Sequence, residues 1–433
     1  MELVLLLENQ IKRPIVVTRT TVMTRKNKWV DLSLLGLCTV ALSGVVLRSK
    51  IVFALPFINY NHLLEGHSHF TFGGWVTLAL LSLMVKEILP APYNGRLVYQ
   101  WLLGGIAISA WGMLFAFLLM GYGVLSIVLS TLFIFQTYVF GWIFIRDILK
   151  AKLARPISLL AISSVVCLIV SSSGTFVLTT IFLTGSFDAV LYRDALFTYL
   201  HFQYNGFFSL AVFALLFNQS ARNPAAEAGA GAGKKIWRFA AVLCASIIPS
   251  LFLSYLWQDP DHLIRVIAVG GSLLVLLSCF LFIFCVRSIR ATYREERPVI
   301  RFLMFLSLCS FVLKTFLQSF TIFPEIGNAI FGNRPVIMGF LHLVFLGFVS
   351  LFILAFFAKK GFLDCTRKFT GVGLIVFALA IILNEALLIT QGLATFFIAG
   401  SAIFPWLLWA AGLCLLTGTI LIAIARIRTV RLP

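Results

Sequence analysis

Residues 67–89 read His67-Ser-His-Phe-Thr-Phe-Gly-Gly-Trp-Val-Thr-Leu-Ala-Leu-Leu-Ser-Leu-Met-Val-Lys-Glu-Ile-Leu89. From Phe70 to Val85 no side chain is charged. The stretch is too long for a strand and suits a helix crossing about 30 Å of hydrocarbon. Such apolar runs recur to a total of twelve, at approximately 30–48, 67–89, 98–121, 124–146, 157–184, 195–217, 237–256, 265–286, 302–322, 335–358, 370–391 and 401–425. Of the 433 residues, 61% are hydrophobic and 12% charged, which excludes a water-soluble fold of ordinary composition. The expected fold is all-α and polytopic, with twelve transmembrane helices.

Charge placement tests that count. The net charge is +18, and 28 of the 34 basic residues fall in segments 1–29, 86–96, 146–155, 218–238, 287–301, 359–368 and 426–433. The alternate connections hold only Arg48, Lys50, Arg193, Arg265 and Arg334, and Lys314 stands inside a span. Basic residues stay on the cytoplasmic side during insertion, so both termini are expected to be cytoplasmic. The basic excess is then topological, and nucleic acid is not an expected partner. Residues 1–29 form a cytoplasmic segment, 30–425 the membrane domain and 426–433 a cytoplasmic tail, with a flexible linker over 218–235 rich in Gly and Ala. No leader peptide is expected, since Leu3 to Leu7 is too short an apolar run. The eight cysteines make no CxxC pair and read as small apolar side chains.

Six histidines occur, and three share a local pattern. His69-Phe-Thr-Phe-Gly-Gly-Trp75 lies in the second span, His201-Phe-Gln-Tyr-Asn-Gly-Phe207 in the sixth and His342-Leu-Val-Phe-Leu-Gly-Phe348 in the tenth. Each has an aromatic at +3, glycine at +5 (Gly74, Gly206, Gly347) and an aromatic at +6. The copies are 132 and 141 residues apart, four spans each time. This predicts three pseudo-repeated four-helix arcs, approximately 30–146, 157–286 and 302–425. Each histidine lies roughly 10–12 Å below the outer polar boundary if the chain between is helical, so the three are expected to converge on one centre. An imidazole in hydrocarbon needs partners, and neutral histidine ligates haem iron, copper and zinc. Glycine at +5 admits a flat ring or a neighbouring helix. The plainer alternative is that each histidine only hydrogen-bonds a neighbour. His67 is about 200° from His69 around a helix and falls outside the repeat.

Twelve spans with histidines in the second, sixth and tenth resemble subunit I of the haem-copper oxidase superfamily. The resemblance implies His69 and His342 as the axial ligands of a b-type haem. It places His201 at a copper-ligating position, or in a distal pocket with Gln203 and Tyr204, or with the other two in a three-histidine copper or zinc site. The chain departs from the family where oxygen chemistry is done. The seventh span, Ala241 to Tyr255, has no histidine, and Phe340 and Val344 flank His342 where the family has His-x-His. Asn205 stands at +4 from His201, where many oxidases have tyrosine. The general plan is also similar to the NnrS-type haem proteins of nitric-oxide metabolism. The expectation is a divergent, non-oxidase haem protein of the bacterial inner membrane. Its work would be electron transfer, NO or O2 handling, or haem or metal trafficking, with an electron donor or a small gas as partner. If enzymatic, it would be a haem-dependent membrane oxidoreductase.

Other polar groups in the spans are candidates for a relay: Lys314 with Glu385 as its partner, Glu65 one turn before His69, and His67. The rival expectation is a secondary transporter whose His, Lys and Glu side chains form a substrate or proton path.

Overall fold

A computed structural model describes residues 26–186, 188–223, 231–331, 333–396 and 402–431. It is helical throughout, and no strand occurs among the described residues. Twelve helices are long and apolar enough to cross a membrane: span 1 (Lys28–Val52), span 2 (Tyr60–Ile88), span 3 (Leu97–Met120), span 4 (Val124–Ala151), span 5 (Arg155–Thr184), span 6 (Ala189–Ala221), span 7 (Ala232–Gln258), span 8 (His262–Tyr293), span 9 (Pro298–Ile322), span 10 (Arg334–Lys359), span 11 (Lys368–Ala394) and span 12 (Ile403–Arg428). Spans 2, 6 and 7 begin five to seven residues before the apolar run. Asn59, Asp188 and Asn333 each accept backbone N–H bonds at the start of spans 2, 6 and 10. The tail and linker segments 1–25, 224–230 and 432–433 lie outside the described residues.

Spans 2, 6 and 10 form the centre. Their apolar windows are buried for 78%, 89% and 78%, against 56% or less in every other span. They alone meet protein on nearly all sides, which explains why their side chains can be polar without facing lipid. Each departs from α-geometry at the same place. π-Helical turns run over Thr71–Thr77, Phe202–Phe208 and Leu343–Ser350, beginning one or two residues after His69, His201 and His342. A π-turn inserts one extra residue and frees backbone groups locally, and such turns gather at functional positions. Phe72, Phe208 and Phe345, one from each π-segment, pack ring to ring at the molecular centre, with centroids 4.6, 5.4 and 5.9 Å apart.

Lipid tails are as apolar as leucine, so helix association here rests on close fit and polar contacts instead of on water exclusion. The +5 glycines supply the fit. A Cβ on Gly206 would meet Cys167 Cβ of span 5 at 2.5 Å, and one on Gly347 would meet Ser310 Oγ of span 9 at 2.8 Å. The carbonyl of Gly74 sits where a Cβ on Gly36 of span 1 would be, 2.5 Å away. At Gly206 and Gly347 the glycine seats a neighbouring helix, whereas a Cβ on Gly74 would meet Phe70 of its own helix, and the close approach of spans 1 and 2 rests on Gly36. Polar ties hold the ends. Trp75 donates to Ser350 Oγ (2.8 Å), joining spans 2 and 10, and Lys360 pairs with Glu87 at 2.7 Å at the far end of the same two helices. Arg426 of span 12 pairs with Asp31 of span 1 at 2.6 Å, so the start of the first span meets the end of the last.

Candidate functional site

The three motif histidines do not converge. The central helices send them into three separate spaces, each walled by a different set of outer spans, and among the described residues no three His, Cys, Asp or Glu side chains gather as a metal site. The expected three-histidine copper or zinc centre is therefore not formed. The reason is geometric: equivalent positions on helices arranged around a common centre point in mutually rotated directions.

The first space lies between spans 1, 2, 10, 11 and 12. Here His342 lies within electrostatic reach of His67, and both lie within electrostatic reach of Arg48. His342 donates from Nδ1 to the Met338 carbonyl (2.7 Å). His67 Nδ1 meets Ser43 Oγ at 2.8 Å, and the Ser43 hydroxyl in turn reaches the Val40 carbonyl at 2.9 Å. With the serine proton given to that carbonyl, the His67 proton is on Nδ1. Both rings thus carry hydrogen at Nδ1, and neither Nε2 has a hydrogen-bond partner among the described residues. A ring nitrogen with a bare lone pair, oriented through its other nitrogen, is the state of a metal-ligating histidine. Arg48 donates to Asn384 Oδ1 (2.6 Å) and to the Leu408 carbonyl, and Asn384 donates to Glu385 Oε1 (2.9 Å).

His69 turns the opposite way, toward span 3. Its ring stacks on Phe117 with centroids 4.4 Å apart, and Nε2 lies 3.3 Å from the Tyr122 hydroxyl. Tyr122 also neighbours Glu65, and burial together with that carboxylate pushes its phenol well above the usual range. Glu65 thus acts on Tyr122, which stands between it and His69. His69 thus points to Phe117 and Tyr122, while His342 acts electrostatically on His67. The 200° separation holds, and it is His67 that faces span 10.

His201 occupies the third space, toward spans 7 and 9. Nε2 donates to the Ile247 carbonyl (2.8 Å), and Nδ1 accepts from Asn205 Nδ2 (3.1 Å). Both nitrogens are used, which leaves no lone pair for copper. Asn205 Oδ1 accepts from Lys314 Nζ at 2.6 Å, and Ser209 Oγ lies 3.4 Å from the same ammonium. Lys314 is therefore not paired with Glu385, which belongs to the Arg48 cluster. Nor do Gln203 and Tyr204 share a pocket with His201. Gln203 bonds Ser171 of span 5, whereas Tyr204 packs on Phe340 of span 10.

Sequence reading missed Arg48, Ser43 and Asn384. Arg48 counted as a connecting-loop charge, although it stands four residues inside the end of span 1. Asn384 preceding Glu385 in an otherwise apolar run was the available signal. No protein-family model matches the chain, and no curated protein matches it.

Proposed function

We propose that this is an integral membrane haem protein with a single b-type haem held between His67 of span 2 and His342 of span 10. The observation that carries the reading is the shared state of the two rings: half-buried on two central helices within electrostatic reach of each other, hydrogen-bonded through Nδ1, and with no Nε2 partner among the described residues. Haem there supplies a one-electron redox centre or a gas-binding iron. The chain's own groups fix what surrounds it. Ser43 and the Met338 carbonyl hold the tautomers and ring planes. Arg48, braced by Asn384, puts a positive charge beside both rings and suits a carboxylate-bearing ligand. Glu385 offsets that charge.

The three capped, π-turned central helices support a threefold internal repeat and a distant relation in plan to haem-copper oxidase subunit I. The basic connections support an inner-membrane protein with both termini cytoplasmic. With both His201 nitrogens engaged, the reading stops at one haem and does not extend to a haem–copper centre. Electron transfer, NO or O2 handling and haem trafficking all fit it; proton-pumping oxygen reduction does not. A carrier using Lys314 and Glu385 as one path is disfavoured, since the two belong to different spaces.

The test is the visible spectrum of the detergent-purified protein, oxidised and dithionite-reduced, with a pyridine haemochrome assay. Sharp reduced bands are expected, lost in His67→Ala and in His342→Ala and kept in His69→Ala. Colourless protein from haem-replete cells refutes the reading. Loss in His69→Ala with retention in His67→Ala refutes the pairing.

A further inference from the structure

The space between spans 2, 4, 5 and 6 is a different kind of site from the histidine pair. It is a cavity of about 40 Å³, lined by His69, Thr137, Ser171, Ser172, Tyr199 and Gln203 among others. That is room for roughly three waters. No Asp, Glu, Lys or Arg side chain lines it, so a bound cation or anion would find no counter-charge.

Its polar groups are not free to face either way. Thr137 gives its hydroxyl proton to the Ile134 carbonyl, Ser171 to Leu168 and Ser172 to Ile169, at 2.7, 2.7 and 2.6 Å. These three hydroxyls therefore offer only lone pairs. Gln203 bonds Ser171 Oγ at 2.9 Å, and since the Ser171 proton is already committed, the group that meets it must be the amide NH2. The Gln203 carbonyl oxygen is left buried without a partner, on a residue only 5% exposed. An orphaned buried acceptor costs about 1–3 kcal/mol unless something donates to it. Tyr199 also lines the cavity, and its hydroxyl, with no hydrogen-bond partner among the described residues, can donate.

The walls thus ask for a small neutral molecule with N–H donors directed at Gln203 Oε1 and Thr137, and an acceptor for Tyr199. That pattern describes a planar primary amide. We propose that this cavity binds the carboxamide or urea group of a small neutral molecule. The inference does not depend on the haem reading.

The experiment is saturation-transfer NMR on the full chain in detergent, with formamide and urea as probes and N,N-dimethylformamide as a control of similar polarity lacking N–H. Saturable formamide and urea signals are expected, with none from the dimethyl compound. Gln203→Leu should weaken apparent affinity about fivefold or more, one hydrogen bond's worth. Thr137→Val, an isostere that removes one lone pair, should weaken it severalfold while leaving the fold intact if Gln203→Leu does not fold. No saturable formamide signal means the cavity holds water only and overturns the proposal. So does equal binding of dimethylformamide, or unchanged binding in Thr137→Val.

Discussion

Alanine at Gly36 should push span 1 off the central core. An added Cβ would stand 2.5 Å from the Gly74 carbonyl oxygen, 3.2 Å from its carbon and 3.6 Å from Trp75 Cα. Those are backbone atoms in a π-turn, with no flexible side chain to swing away. Relief requires span 1 to retreat by roughly 1 Å, and overpacking of that kind costs about 1–3 kcal/mol. Any gain in helix propensity, at most about 1 kcal/mol, applies equally to a control glycine. Gly104 of span 3 is that control: its added Cβ would find nothing closer than Trp29 at 3.8 Å. The comparison of Gly36→Ala with Gly104→Ala in detergent therefore isolates the steric term. The expected result is a lower apparent melting temperature for Gly36→Ala by several degrees, with Gly104→Ala at or above wild type. Because Trp75 bonds Ser350 next to the contact, indole fluorescence should shift in Gly36→Ala alone. Equal melting of the two variants would refute the claim that spans 1 and 2 meet backbone to backbone.

Asp147, 1% exposed, accepts from Arg96 (2.6 Å) and Tyr99 (2.8 Å), so Asp147→Ala strands both donors and should cost about 2–3 kcal/mol by chemical unfolding, discounted because Arg96 is partly solvated. Glu87→Gln removes the charge facing Lys360 at the C-terminal ends of spans 2 and 10, and should lower stability by about 1–3 kcal/mol, with Lys360→Met in the same background recovering part of it. Cys365 lies in the connection after span 10, where burial pushes its thiol up to about 11 from an ordinary 9.0. At pH 8 it should carry roughly a hundredfold less thiolate than a free cysteine and react that much more slowly with iodoacetamide in a variant retaining it alone. The folded state favours the protonated thiol, so the associated stability is complete below pH 9 and fades as pH rises toward 11.

The membrane architecture was legible because insertion obeys composition: twelve apolar runs and an alternating basic bias leave little freedom. The shared histidine motif was legible too, and the structure gives it a physical content the letters alone could not. Glycine at +5 seats a neighbouring helix at Gly206 and Gly347, and the motif marks where each central span changes from α to π. What misled was the step from shared pattern to shared centre. Similar residues at similar depth on three helices say nothing about azimuth, and repeats around a common centre carry equivalent side chains apart. The useful pair instead combines a repeated residue, His342, with an unrepeated one, His67, two positions before the motif histidine of its own helix. The same logic explains Lys314. Its partner is Asn205, four residues after His201, so the polar residue at +4 that departs from the oxidase pattern is also the one that spends the imidazole and the ammonium on each other. A single substitution there tests the argument: Asn205→Leu should free His201 Nδ1 and strand Lys314. Bound Cu(II) or Zn(II), measured by metal analysis after loading, should then rise above wild type if tautomer locking is what closes this position. Unchanged metal content in a folded Asn205→Leu would show that the closure comes from elsewhere in spans 6 and 7.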